Sequence, residues 1–426
     1  MTFQELFLYI LIFHVISFLG TWKLYIKSGF KVYEALIPVY NFIILMKIIK
    51  RPIWWVILLF IPTINLIMLI VILIQLLNVF DKNTYTDYFL IIITLGLYIF
   101  YINYNSKTKY KPENSNSSNN NLKETISSLI FAIIAATIVH NYIIQPYIIP
   151  TGSLEKSLLI GDFLFVSKFH YGARAPMTAV SLPMVHDTIP LLKIRSYLKN
   201  PQYPYLRLPA IQKIKRNDIV VFNWPADTVR KFFVKEKGVK KPIDKKSNYV
   251  KRCVGVSGDT LEIINGYVYI NGVKNILPKR ARVQYNFNAY SNKGISSRKL
   301  LKLDVGDFYR KFKIDNINQN SYNEIIPYIV GTSGNTRDNF VVITKKNGLP
   351  IKLINKLNLK ISELLEIKKK LTLTIKESVL LKNENWIDSV VMDLNNSKTP
   401  NTNFFPNKIP YDWNEDFLGP IIIPKK

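Results

Sequence analysis

Long apolar stretches crowd into the first third of this 426-residue chain, and they constrain its fold more than any other feature. Four of them are long enough to cross a bilayer: residues 3–20, 53–79, 86–104 and 125–145. A segment in lipid must satisfy its backbone hydrogen bonds internally, which a helix does. The sequence therefore predicts an α-helical membrane region at the N-terminal end.

The positive charges beside these stretches predict their orientation. Residues 21–52 carry six Lys or Arg against one Glu, and residues 105–124 carry four Lys against two Glu. Loops rich in Lys and Arg stay in the cytoplasm. With four spans, everything after residue 145 then lies outside. We therefore expect a multi-pass protein of the inner (cytoplasmic) membrane with a large extracytoplasmic domain.

A polar segment divides the membrane region. Residues 105–121 are rich in Asn and Ser and cannot bury apolar area, so they are predicted to be a disordered linker. The linker separates a polytopic region of about three spans, residues 1–104, from a single transmembrane anchor at residues 122–145. The rest of the chain, residues 146–426, forms the outer domain.

The outer domain has the pattern of a mostly-β fold. Apolar and alternating runs are separated by Gly, Pro and Asn turns, as in TLEIINGYVYINGV, residues 260–273. Asn265-Gly266 within that run predicts a hairpin turn. Residues 351–383 have Leu and Lys at helix-like spacing, which predicts one or two helices in an inserted α/β region.

The net charge of +28 is compatible with a nucleic-acid partner, an anionic membrane surface, or a composition biased toward Lys and Asn. We favour the bias, because Ile, Lys and Asn are abundant throughout the chain and no nucleic-acid-binding motif accompanies the charge. We therefore expect the lipid bilayer, but no nucleic acid, among the partners. The single cysteine, Cys253, excludes an intrachain disulfide and a multi-cysteine metal site.

One serine and one lysine in the outer domain could form a catalytic pair. Ser153 follows Thr151 and Gly152 in a turn just after the last apolar stretch, and Lys251 lies in a strand-like run. A serine hydroxyl needs a base to become a nucleophile, and a lysine serves only in its neutral form, which apolar surroundings favour. From spacing alone the alternatives stay open, because such a turn is more often a helix cap and such a lysine more often solvated.

Three segments resemble a known family. IPTGSLEKSLLIGDFLFVSKFHYG (149–172) is similar to the nucleophile box of bacterial type I signal peptidases, KRNDIVVFNWP (215–225) to their next strand, and YVKRCVGVSGD (249–259) to their lysine box. The order of the segments and the polytopic extension resemble the enlarged form found in Bacteroidetes-type bacteria. This implies a mostly-β extracytoplasmic catalytic domain of signal-peptidase type behind a helical membrane region.

The resemblance also implies roles. Ser153 would be the nucleophile, Lys251 the general base, and the Thr151 hydroxyl with the Ser153 backbone N–H the oxyanion donors. Gly258 and Asp259 match structural positions of the family. Family members are serine endopeptidases that use neither metal nor cofactor and remove signal peptides from secretory pre-proteins, which would be the substrates.

The last family box, which starts Gly-Asp-Asn-Arg and orients the lysine, has no counterpart here. GNTRDNF (334–340) is similar only by coincidence, and residues 411–426 resemble the stretch that precedes the box. We therefore expect the peptidase domain to be C-terminally incomplete and weakly active alone. Truncation, a second polypeptide that completes the domain, and degeneration all remain open.

Two hypotheses follow. The first is a membrane-bound signal peptidase with a Ser/Lys dyad. The alternative is a catalytically degenerate membrane protein whose outer β domain binds secretory peptides or partners.

Overall fold

The computed structural model describes residues 2–112, 121–154, 156–227, 238–315, 317–334, 340–397, 399–401 and 411–425. The chain divides into two compact units. Unit 1 comprises residues 1–147, 163–213 and 220–250. Unit 2 comprises residues 148–162, 214–219 and 251–426.

Unit 1 begins with the apolar part of the chain, which is helical. Its helices are α1 (Phe3–Lys27), α2 (Val32–Leu36), α3 (Tyr40–Ile48), α4 (Trp55–Leu58), α5 (Ile64–Val79), α6 (Tyr85–Ile93), α7 (Tyr98–Tyr104) and α8 (Asn121–Ile138), which continues as a π-helical turn (Val139–Ile143). Leu24, Met46, Ile48 and Met68 are almost fully buried and belong to one core between these helices. Helices α1 to α7 therefore pack on one another around a shared apolar core.

Two helices in the described part of the chain are long and apolar enough to cross a membrane: Phe3–Lys27 and Thr125–Ile143. Most of their apolar side chains are not covered by protein, as at Phe7 (70% exposed) and Phe131 (69% exposed). Uncovered apolar surface of this kind suits contact with lipid. The structure thus gives continuous helices at two of the four predicted spans.

The other two predicted spans are interrupted. The stretch 53–79 breaks between α4 and α5 near Pro62, which cannot donate a backbone hydrogen bond inside a helix. The stretch 86–104 breaks between α6 and α7 at Gly96, whose φ of 95° is not helical. Whether these broken segments cross the bilayer stays a prediction.

The first residues of the predicted linker contact the helices of unit 1. Residues 105–112 lie against the helices, where the Tyr110 hydroxyl donates to the Ile48 carbonyl at 2.9 Å and its ring contacts Phe80. An aromatic side chain within this otherwise polar segment provides that packing. Residues 113–120, the core of the predicted linker, lie outside the described residues.

Four short strands follow the last apolar helix, mostly within unit 1. Strands β1 (Ile144–Ile148) and β2 (Phe163–Ser167) form one two-stranded sheet, and β3 (Ile219–Asn223) and β4 (Asn248–Arg252) form another. The segment from 148 to 162, which carries Ser153, and the end of β4, which carries Lys251, both belong to unit 2.

The rest of unit 2 is mainly β-structure. Its strands are β5 (Thr260–Ile264), β6 (Tyr267–Ile270), β7 (Val273–Lys274), β8 (Gln284–Ile295), β9 (Asp307–Phe308), β10 (Arg310–Asp315), β11 (Ile329–Ser333), β12 (Phe340–Thr344), β13 (Lys360–Glu363), β14 (Glu366–Thr374), β15 (Ser389–Met392) and β16 (Leu418–Ile422). Its helices are α9 (Ser297–Lys302), α10 (Gln319–Ile325), α11 (Ile351–Lys356) and α12 (Ile375–Lys382).

These strands form three four-stranded sheets, with the orders β16-β5-β6-β7, β15-β8-β14-β9 and β11-β12-β10-β13. All the pairings with a resolved register are antiparallel, as between β8 and β14. The second and third sheets each cover a separate apolar core. The expected fold class, a helical membrane region followed by a mostly-β domain with an inserted α/β region, is confirmed.

The hairpin predicted at Asn265-Gly266 is confirmed. Ile264 pairs with Tyr267 across β5 and β6, and the two turn residues have φ of 52° and 75°. Positive φ at both positions is the geometry of the turn that Asn-Gly favours.

The helices predicted across residues 351–383 are only partly present. Helices α11 and α12 lie at the two ends, but β13 and β14 occupy the middle. The prediction was wrong there because the Leu spacing is that of a strand: Leu371 and Leu373 are buried and alternate with Thr372, which is not. Pairing with β8 along almost the whole length of β14 then outweighs helix propensity.

Candidate functional site

Ser153 lies in a loop of unit 2 that is closed at its base. We call its described residues, 149–154 and 156–162, the serine loop. At its base, the Ile149 N–H donates to the Asp162 carbonyl at 3.0 Å and the Gly161 N–H donates to the Ile149 carbonyl at 2.9 Å. Gly161 has a φ of 92°, a conformation that glycine adopts without steric cost. Within the loop, Gly152–Leu154 forms one 3-10 turn that leaves the Ser153 side chain exposed.

Lys251 is near the end of β4, where the backbone is held by the segment before β3. The Cys253 N–H donates to the Asp218 carbonyl at 2.8 Å, and the Asn217 N–H donates to the Cys253 carbonyl at 2.6 Å. The Arg252 guanidinium donates to the Asn217 carbonyl at 2.8 Å. These bonds fix the backbone on the C-terminal side of Lys251.

The turn that follows is held by an ion pair. Arg216 donates two hydrogen bonds to the Asp259 carboxylate, from Nε at 2.8 Å and from Nη2 at 2.5 Å. The same carboxylate accepts from the Val256 N–H at 2.9 Å. These hydrogen bonds, those from Arg216 above all, hold the Asp259 pKa well below its usual range. The structural role that the resemblance implies for Asp259 thus has a physical basis.

The structure brings the two residues of the predicted dyad together. Lys251 Nζ donates a hydrogen bond to Ser153 Oγ. Lys251 is half-buried as a residue and Ser153 is exposed, so the hydroxyl is open to a substrate. A neutral amine at this position could take the hydroxyl proton directly, which is the geometry a nucleophile and its base require.

Thr151 also lies in the serine loop, two residues before Ser153, and its side chain is exposed. Its role as an oxyanion donor stays a prediction, as do the catalytic roles of Ser153 and Lys251. Two positions that sequence reasoning missed, Lys156 and Glu377, form an ion pair at 3.5 Å that reaches the serine loop. No local signal marks them, since they are far apart along the chain.

The sequence matches two protein families. Residues 122–320 match the family described as Signal peptidase, peptidase S26. Residues 33–113 match the Family of unknown function (DUF5684). The first match includes Ser153, Lys251 and Thr151, and the second covers most of the helices of unit 1 before the linker.

Relatives carry the name Signal peptidase I. The chain is 30% identical over 158 residues to Signal peptidase I of Rickettsia typhi, which covers 37% of this chain and 46% of that protein. It is 30% identical over 159 residues to Signal peptidase I of Rickettsia prowazekii, covering 37% and 47%. The chain thus spans about half the length of the curated relatives it matches. The resemblance to bacterial type I signal peptidases is confirmed.

Proposed function

We propose, from the premise that residues 122–320 carry a domain of the signal peptidase family S26, that this chain is a membrane-bound serine endopeptidase. It removes N-terminal signal peptides from secretory pre-proteins with a Ser/Lys dyad. The observation that carries the proposal is the hydrogen bond between Lys251 Nζ and Ser153 Oγ.

The chemistry follows from that contact. The neutral Lys251 amine takes the Ser153 hydroxyl proton as Oγ attacks the carbonyl carbon of the scissile peptide bond. The carbonyl oxygen becomes an oxyanion, which accepts hydrogen bonds from the Ser153 backbone N–H and the Thr151 hydroxyl. Lys251 then gives its proton to the leaving amine, and the signal peptide remains as an ester on Ser153.

Water completes the cycle. The amine of Lys251, neutral again, takes a proton from a water molecule that attacks the ester carbonyl. The second tetrahedral intermediate collapses, the Ser153 oxygen recovers its proton from Lys251, and the signal peptide leaves with a new carboxyl terminus. Each proton therefore moves through one amine, and the reaction uses no group beyond the chain, its substrate and water.

The membrane arrangement supports this function. Helices α1 and α8 have uncovered apolar side chains that suit contact with a bilayer, and the basic segments 21–52 and 105–124 favour a cytoplasmic position. We infer a multi-pass protein of the inner membrane whose dyad lies on the extracytoplasmic side. The signal peptide of a pre-protein would enter from the lipid, so an anchored enzyme would meet its substrate at the membrane surface.

The test is cleavage of a purified pre-protein by the full chain in detergent, with the new N-terminus read by mass spectrometry. Ser153→Ala and Lys251→Ala should each remove nearly all activity, and the double variant should be no worse, because residues that act as one unit are not additive. Cleavage that survives Ser153→Ala would refute the dyad. A folded parent that binds pre-protein and leaves it intact would instead favour the degenerate alternative.

A further inference from the structure

The serine loop is held at its middle as well as at its base. Three residues after Ser153, Lys156 Nζ lies 3.5 Å from Glu377 Oε1. The next residue, Ser157, accepts a hydrogen bond through Oγ from the Arg282 N–H at 3.2 Å. Both partners belong to unit 2 and come from distant parts of the sequence. The loop that carries Ser153 thus also contacts residues outside it.

Glu377 is a rigid attachment point. It is the third residue of α12 and completes a capping box with Thr374, whose N–H donates to Glu377 Oε2 at 2.7 Å. The other oxygen, Oε1, accepts from the Gly306 N–H at 3.2 Å and faces Lys156. Burial opposes ionisation of this carboxyl, but hydrogen bonds from Thr374 and Gly306 and the charge of Lys156 together lower its pKa. The hydrogen bonds from Thr374 and Gly306 therefore orient the Glu377 carboxylate independently of its contact with Lys156.

Lys156 has an unusual backbone conformation. Its φ of 65° lies in the left-handed region, which residues other than glycine seldom adopt. A conformation of this kind persists when surrounding contacts hold it. The ion pair is also partly shielded, because the two side chains are 28% and 16% exposed.

We propose that Glu377 is a positioning residue that holds Lys156, and through it the serine loop, so that Ser153 Oγ stays against Lys251 Nζ. The catalytic importance of this positioning rests on the proposed function. The positioning itself can be tested without measuring cleavage. In this proposal, α12 and the sheet that contains β8 and β14 support the active site, because α12 carries Glu377.

Unit 2 offers a matched control. Lys356 and Glu324 form a shorter ion pair, at 2.6 Å, with side chains that are 65% and 42% exposed. Neither residue belongs to the serine loop. A solvent-exposed pair of this kind contributes little, so its removal reports the effect of losing a Lys–Glu pair elsewhere in the same unit.

The probe is a thiol at the nucleophile position. In a full-length Ser153→Cys, Cys253→Ser parent, the introduced thiol is the only one, and its alkylation rate by iodoacetamide at pH 7 reports its ionised fraction. When the Lys251 amine takes the thiol proton, the resulting ammonium stabilises the thiolate and speeds alkylation. Adding Lys251→Ala to this parent should slow alkylation. The rate of that variant is the reference for a thiol with no lysine beside it.

Glu377→Gln and Lys156→Met should each slow alkylation about 3- to 10-fold, toward the rate of the Lys251→Ala variant, because the thiol moves away from Lys251. Glu324→Gln should leave the rate unchanged. Gln at position 377 still serves a capping box, and Lys156→Met leaves α12 untouched, so the two variants together separate positioning from folding. Equal thermal melts confirm the comparison.

Parent-like rates in both Glu377→Gln and Lys156→Met would overturn the inference, and so would equal slowing by Glu324→Gln. In the Ser153 enzyme, the same two variants should lower kcat with little change in KM. If the thiol series behaves as expected but the Ser153 enzyme cleaves no pre-protein, the positioning role stands and the proposed function fails.

Discussion

Arg216 and Asp259 form a two-armed ion pair, with bonds of 2.8 and 2.5 Å from one guanidinium to one carboxylate. Arg216 precedes β3 and Asp259 follows the strand of Lys251, so the pair joins the segment before β3 to the turn after the lysine strand. Asn271 donates to the same carboxylate at 3.4 Å. The lysine side of the dyad is thus built on a polar network, as the serine side is built on the serine loop.

Asp259→Asn should lower activity on the order of 10- to 100-fold, because a small displacement of a catalytic group is costly. Its amide cannot accept two hydrogen bonds from Arg216 and one from Val256 as the carboxylate does. Asp315→Asn, which changes an exposed carboxyl of the same unit, should be silent. The measurement is kcat/KM for pre-protein cleavage. An unchanged value for Asp259→Asn would mean that this network does not position Lys251.

The same pair predicts a pH effect on stability. Because the folded pKa of Asp259 is depressed, its stabilising contribution is fully present above the ordinary Asp pKa of about 3.9 and is lost as the pH falls toward the folded value. Melting temperatures of the parent and of Asp259→Asn should therefore converge below about pH 4. A difference that stays constant from pH 7 to pH 3 would contradict the assignment.

Thr151→Ala should reduce kcat about 10²- to 10³-fold, the cost of one lost oxyanion donor, with little change in KM. Thr151→Ser keeps the hydroxyl and should retain most of the activity. A comparable loss in both variants would mean that the threonine methyl group, and not its hydroxyl, matters at this position.

Local patterns predicted local structure well. Asn265-Gly266 predicted a hairpin because both residues tolerate positive φ, which is a property of those residues alone. Ser153 and Lys251 were different: their spacing did not distinguish a dyad from a turn and a solvated strand, and the family resemblance made the assignment. The structure adds the contact between them.

The rest depended on tertiary contacts. Glu377 reads in the sequence as an ordinary capping residue after Thr374, and nothing local connects it to Lys156. Residues 351–383 were expected to hold one or two helices because Leu and Lys recur there, but pairing with β8 makes residues 366–374 a strand. Sequence periodicity does not reveal which partner strand is available, although the alternation of Leu371, Thr372 and Leu373 is a local sign of a strand.

Leu373→Ala tests the corrected assignment of β14. Leu373 is fully buried in the core beneath this sheet, so the cavity should cost about 2–5 kcal/mol of unfolding free energy. Ile367, in the same strand, is 62% exposed, and Ile367→Ala should stay within about 0.5 kcal/mol of the parent. Equilibrium denaturation measures both, and similar losses for the two variants would count against a strand with one buried face.

The orientation of the chain in the membrane can be tested with single cysteines in a Cys253→Ser background. Lys107, in the basic segment before α8, is exposed, and Leu191, in the part of unit 1 after β2, is 93% exposed. Because Lys-rich loops are retained in the cytoplasm, Lys107→Cys should resist a membrane-impermeant maleimide in intact cells and react after lysis. Leu191→Cys should react without lysis, in cells whose outer membrane has been permeabilised. Labelling of the first variant from outside would invert the orientation and place Ser153 in the cytoplasm, where it could not meet translocated pre-proteins.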